Sequence, residues 1–107
     1  MELKDNAAIV TGGGGSIGRA VALELAGQGA SVAVTDIDLD RAQAVVDEIK
    51  AMGSQALAVE LDVRERPQVR QMAESVLAQF GRIDILVNSA GGSARNRMSV
   101  YHESEDE

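Results

Sequence analysis

Apolar positions along this chain alternate between two periods, one suited to strands and one to helices. Ala7-Ala8-Ile9-Val10-Thr11 is a short, almost wholly apolar run, as a strand covered on both faces requires. Ile17, Ala20, Val21 and Leu25 then fall on one face of a helix that Gly27 and Gly29 bring to an end. Residues 31–35 are a second strand, rich in β-branched side chains. Leu39, Ala42, Val45, Val46 and Ile49 form the stripe of a second helix, with Asp38 or Asp40 as its cap and Gly53 as its terminator. A third strand covers 56–61. Pro67 suits the first turn of a third helix. The apolar face of that helix is Val69, Met72, Ala73, Val76, Leu77 and Phe80, and Gly81 ends it. A fourth strand covers 83–87, and after Gly92 the periodicity stops.

The resulting order, β-α-β-α-β-α-β, predicts an α/β fold: a doubly wound parallel sheet with right-handed crossovers and helices on both faces. Four strands and three helices make it partial, with an expected strand order of 3-2-1-4. The fourth strand is then an open edge on which Ile83, Ile85, Leu86 and Val87 are expected to be exposed, a pairing liability. Residues 93–107 read as a loop and an acidic tail.

Composition narrows the range of partners. The 107 residues are 45% hydrophobic, which places the chain among globular domains. Phe80 and Tyr101 are the only aromatic residues, so no platform exists for stacking bases. The net charge is −7, and Glu103, Glu105, Asp106 and Glu107 carry four of those charges. The remainder is mildly acidic and offers no basic face to DNA or RNA. The absence of cysteine excludes disulfides and thiolate chemistry. There is no signal peptide pattern and no apolar run of membrane-spanning length, so a soluble, cytoplasmic protein with no membrane partner is expected.

The chemistry concentrates where the first strand ends. Gly12 to Gly15 are four consecutive glycines, followed by Ser16-Ile17-Gly18. A strand, a turn almost without side chains and a helix start bring backbone N–H groups and a partial positive charge close to a phosphate. Gly13-x-Gly15-x-x-Gly18 is one spacing of the dinucleotide, or Rossmann, fingerprint; Thr11-Gly12-x-x-x-Ser16-Ile17-Gly18 is another. Asp36, at the end of the second strand and 18 residues after Gly18, suits the ribose hydroxyls of an adenosine. It would repel a 2′-phosphate, and no basic residue stands at 37 or 38, so NAD is expected over NADP. The plainer reading of Asp36 is a residue that caps or solvates a loop.

These residues, together with Leu61-Asp62-Val63 and Asn88-Ser89-Ala90-Gly91, occur in the order and at the strand ends of a known pattern. Over residues 3 to 92 the chain resembles the N-terminal, cofactor-binding half of the short-chain dehydrogenase/reductase family. The resemblance implies that residues 1–92 are an incomplete Rossmann domain. It further implies that Gly12, Gly15, Ser16, Ile17 and Gly18 form the pyrophosphate loop, with Asp36 on the adenine ribose. Asp62 and Val63 would flank the adenine, while Asn88, Ala90 and Gly91 close the groove. Asp62 also reads as a turn residue and Asn88 as a strand-end cap. Ser16 stands where the family usually has glycine, with a hydroxyl able to cap the helix, and Ser89 replaces an asparagine.

The catalytic Tyr-x-x-x-Lys of that family has no counterpart. Four residues after Tyr101 stands Glu105, and the only lysines are Lys4 and Lys50. A phenol without a nearby ammonium is a poor base at neutral pH. Ser93 and Ser99 come too early for the family's catalytic serine, and His102 stands alone in the tail. No residue is therefore assigned to catalysis and none to a metal. The chain reads as a truncated part of an oxidoreductase that moves a hydride between NAD(H) and an alcohol/carbonyl pair, not catalytic alone. Oligomerisation would use helices that lie downstream. A non-catalytic nucleotide-binding or regulatory module is the alternative. An S-adenosylmethionine-dependent methyltransferase also uses a glycine loop and an acid at the second strand, but the Asn88–Gly91 element argues against it. A P-loop nucleotidase is excluded because no Gly-Lys-Ser/Thr follows the glycines.

Overall fold

A computed structural model describes residues 2–89 and, as backbone, 103–104. Four parallel strands form the main sheet: β1 (Ala7–Thr11), β2 (Ser31–Asp36), β3 (Ala56–Glu60) and β5 (Ile85–Asn88), in the order β3-β2-β1-β5. This is the expected order with the fourth parallel strand at the β5 place. Helices α1 (Ser16–Gly27), α2 (Leu39–Ala51) and α3 (Arg66–Phe80) connect successive strands.

The expected fourth strand is divided. Arg82–Ile83 forms β4, which pairs antiparallel with β6 (Glu103–Ser104), so part of the segment read as loop and tail is a short strand. Asp84 makes the division. Its carboxylate accepts the Ala7 N–H at 2.9 Å, its own N–H donates to the Ala7 carbonyl at 2.8 Å, and the Arg82 guanidinium forks onto both oxygens at 2.7 and 2.8 Å.

Alternation along the strands feeds two cores. Val10, Val32, Val34 and Val87 point to the α1/α2 layer, where they meet Ala22, Ala26, Ala42, Val45, Val46 and Ile49. Ile9, Ala33 and Ile83 point to the α3 layer, with Leu61, Met72 and Val76. Full burial of each valine, leucine, isoleucine or methionine among them contributes roughly 1.5–3 kcal/mol. Ile83 and Val87 are thus buried, and Ile85 and Leu86 half-buried, against the expectation that this edge exposes all four. Helices cover both faces of the sheet, and that is what covers these side chains.

Helix α1 also corrects its predicted face. Gly18, Ala22 and Ala26 are its buried residues, whereas Ile17 is 48% exposed and Ala20 is exposed. The smallest side chains, four apart, let this helix lie close against β1; Val21 and Leu25 pack at the flank. Helix α2 follows its predicted stripe except for exposed Leu39, and Asp38 caps it by accepting the Asp40 and Arg41 N–H groups. Gly81, at φ 81°, ends α3 in the left-handed region.

Candidate functional site

An open cleft of about 360 Å³ lies at the carboxyl ends of the parallel strands, the place where open α/β sheets bind ligands. Each βα joint contributes to it. Gly12 and Gly15 come from the joint after β1, and Asp36, Ile37 and Arg41 from the joint after β2. The segment 61–64 follows β3, and Ser89 follows β5.

The four glycines are not equivalent. Gly12 has φ 65°, in the left-handed region, and so turns the chain away from β1. A Cβ on Gly13 would stand 2.6 Å from Val34 Cγ1, and one on Gly14 would stand 2.7 Å from Arg41 Cβ and 2.8 Å from Asp36 Oδ2. Gly15 has room, its nearest neighbour being the Gly12 carbonyl at 3.4 Å. Gly18, one turn into α1, has least: a Cβ there would lie 2.2 Å from the Gly12 carbonyl oxygen. The turn and the helix start are packed backbone against backbone, which is why α1 carries its small residues inward.

The N–H groups of the turn itself are spoken for. Gly13 donates to the Thr35 carbonyl at 2.9 Å, Gly14 to Asp36 Oδ2 at 3.0 Å and Gly15 to the Gly12 carbonyl at 3.1 Å. The first intrahelical bond runs from the Arg19 N–H to the Gly15 carbonyl. The first-turn N–H groups of Ser16, Ile17 and Gly18 have no acceptor among the described residues. Gly15 is the N-cap, and no side chain caps the helix, so Ser16 does not take the capping role expected of it. The donors available to an anion are therefore those of the helix start rather than of the glycine turn.

Asp36 is 6% exposed and has a structural task already. Besides Gly14, it accepts the Asp38 N–H on Oδ1 at 2.9 Å, and its backbone carbonyl takes the Leu61 N–H at 2.9 Å. It joins the glycine turn, the start of α2 and the end of β3, while its side chain lines the cleft. Asp62 also serves two ends. It lines the cleft and makes the turn before α3, accepting the Arg64 N–H at 3.0 Å. The Arg64 guanidinium forks onto its carboxylate at 2.9 and 2.8 Å and holds the Asp62 carboxyl down to about 2. Val63, 39% exposed, lies beside it.

On the β5 side, Asn88 Oδ1 accepts the Thr11 hydroxyl at 2.9 Å and ties β5 to β1 at their carboxyl ends. Asn88 lines a second, 220 Å³ cleft on the α3 face rather than the main one. Ser89 lines the main cleft, and its N–H and hydroxyl both donate to the Thr11 carbonyl. Ala90 and Gly91 lie outside the described residues, as do Ser93, Ser99, Tyr101 and His102.

Arg41 and Arg64 are cleft residues that the sequence reading missed. Arg41 is five positions beyond Asp36, and only the first turn of α2 carries it back over the cleft, where it donates to the Gly14 carbonyl at 3.2 Å. The signal was available in the spacing from the Asp38 cap: a residue three further on returns to the same side of the helix.

The short chain dehydrogenase family model matches residues 6–107, and the chain belongs to that family. It is 42% identical over 92 residues to the 7alpha-hydroxysteroid dehydrogenase of Escherichia coli (strain K12), covering 86% of this chain and 36% of the relative. It is 41% identical over 102 residues to the 3-oxoacyl-[acyl-carrier-protein] reductase FabG of Staphylococcus epidermidis, covering 94% and 42%. The crystal structure of hydroxysteroid dehydrogenase from Escherichia coli superposes with a TM-score of 0.82 at 43% identity, over 85% of this chain and 38% of that one. A protein assigned as a D-mannonate oxidoreductase from Haemophilus influenza, solved with bound NAD, gives 0.82 at 33% identity, over 85% and 32%. The chain thus spans about two fifths of the length of the curated relatives it matches.

Proposed function

We propose that this chain is the NAD-binding portion of an oxidoreductase that transfers a hydride between NAD(H) and an alcohol/carbonyl substrate. The observation that carries the proposal is the meeting, in one cleft, of Gly12 and Gly15 from a side-chain-free turn and a buried carboxylate at the end of β2, with the first-turn N–H donors of α1, unused among the described residues, directly beyond Gly15. The residues fit the cofactor. Gly12 and Gly15 give a phosphate an unshielded backbone, and the N–H groups of Ser16, Ile17 and Gly18 are its donors. Asp36 keeps acceptor capacity for ribose hydroxyls beyond the two N–H groups it holds, since a carboxylate has about four lone-pair sites. Ile37 and Val63, both exposed in the cleft, offer apolar surface to an adenine. On the β5 side the cleft is lined by Ser89. The nicotinamide, when bound, supplies the hydride chemistry.

NAD is preferred over NADP in this reading. A 2′-phosphate would bring about two further negative charges against a carboxylate that is already buried, and like charges at close range cost several kcal/mol. Arg41 stands in the same cleft, so the preference rests on Asp36 rather than on a lack of basic residues. Thermal unfolding of the chain followed with each cofactor tests it: NAD at a fixed concentration raises the midpoint more than NADP does. Equal or greater protection by NADP removes the assignment, and protection by neither removes the dinucleotide reading altogether.

A further inference from the structure

The Gly14 residue is gripped from both ends. Its N–H donates to Asp36 Oδ2, and its carbonyl accepts from the Arg41 guanidinium. A Cβ at Gly14 would meet both of these residues within 2.8 Å, so the turn and the start of α2 are in direct contact. These two hydrogen bonds fix different peptide planes. The Gly14 N–H belongs to the 13–14 peptide, and the Gly14 carbonyl shares its plane with the Gly15 N–H, which bonds back to the Gly12 carbonyl at 3.1 Å. Immediately beyond lie the unused donors of Ser16, Ile17 and Gly18. Four consecutive glycines lose more conformational freedom on ordering than any other tetrapeptide, so a turn built from them needs outside restraint. Asp36 restrains one plane. Arg41 restrains the next, and it forms no ion pair with a carboxylate among the described residues.

We infer that Arg41 is a positioning residue for the phosphate-binding turn: through the Gly14 carbonyl it holds the 14–15 peptide so that the donors at the start of α1 face the cleft. This rests on the dinucleotide reading above. The ribose wall, Asp36 and the end of β3, does not depend on it. Loss of the guanidinium is therefore expected to weaken ligands that carry a pyrophosphate and to spare those that do not.

The test uses the 107-residue chain and two substitutions. Arg41→Met keeps the aliphatic stem and removes the donor, and Arg41→Lys restores a cationic donor. NAD and adenosine are titrated against each by NMR, and amide exchange at Gly15 and Ser16 is measured without ligand. In Arg41→Met, NAD binding falls about fivefold while adenosine binding holds, as expected for one exposed charge-assisted hydrogen bond. Exchange at Gly15 and Ser16 rises by a similar factor, and Arg41→Lys recovers most of both. Equal weakening of the two ligands, no weakening of NAD, or unchanged exchange overturns the inference. A loss confined to NADP, titrated in parallel, also overturns it, because Arg41 would then be a contact to the 2′-phosphate. If the unsubstituted chain binds no NAD, the dinucleotide reading fails; the exchange data, taken without ligand, then decide separately whether the Arg41 restraint exists.

Discussion

A glycine in a run of four invites the assumption that all four serve one purpose, and the space around each shows otherwise. Gly13 and Gly14 within the run, and Gly18 beyond it, have no room for a methyl group, while Gly15 has. Alanine at 15 is therefore expected to change stability by under about 1 kcal/mol, the ordinary range for a surface site free of strain. Alanine at 18 must push backbone from backbone and is expected to cost about 3 kcal/mol or more, with the turn displaced. Chemical denaturation of Gly15→Ala and Gly18→Ala checks this, and comparable losses for the two would show that the packing argument is wrong. The run itself and Asp36 were legible in the sequence because a strand, a turn and a helix start carry local signals. The double duty of Asp36 was not legible, because its bonds to Gly14 and to Asp38 come from opposite sides of the joint. Arg41 was missed for a related reason: its neighbour Gly14 is 27 positions away, brought near only by the parallel packing of two βα units.

Elements were predicted well wherever periodicity met a clear terminator, as in α2 with Asp38 and in α3 with Pro67 and Gly81. The face of α1 was misjudged because hydrophobicity favours Ile17 and Val21, whereas closeness to the sheet favours Gly18, Ala22 and Ala26. The divided strand has its cause in one acid. Asp84 is 4% exposed, and the Arg82 guanidinium, joined by the Ala7 N–H, holds its carboxyl down to about 2 against the opposing effect of burial. Its folded-state value lies below the ordinary 3.8, so the stability it contributes is present above that value and is lost as pH falls through about 2. The shift corresponds to about 2 kcal/mol. Asp84→Asn is expected to lower unfolding stability by that amount at neutral pH. The gap to the unsubstituted chain should close below pH 3.8; a gap that persists unchanged to pH 2 would assign the effect to packing rather than charge.

On the scale of the whole molecule, the cleft is assembled from four joints that never meet in sequence, and β1 lies at its centre. No helix among the described residues is long and apolar enough to cross a membrane. The order β3-β2-β1-β5 follows from the βα rhythm, since a parallel crossover of one hand allows few other arrangements. The sequence does not mark Ser89, because both of its bonds run to the Thr11 carbonyl, 78 positions away.

That distance has a consequence for how the two walls of the cleft hold together. β1 meets β2 with Ala7 opposite Ser31, a loop of two dozen residues, but it meets β5 with Ala8 opposite Ile85, a loop about three times as long. Loop-closure entropy grows with the logarithm of length, so the second pairing costs about 1 kcal/mol more to close. Among the described residues β5 has only β1 as a neighbour in the sheet, while β2 lies between two strands. Partial opening thus begins at β5, and the wall built from Asp36 and the end of β3 outlasts the side of the cleft that Ser89 lines. Backbone amides of β5 are expected to exchange with solvent ahead of those of β2, and the reverse order would contradict this. If the cleft holds a dinucleotide as proposed, a chain caught in that half-open state would keep its grip on the adenosine after releasing everything beyond it.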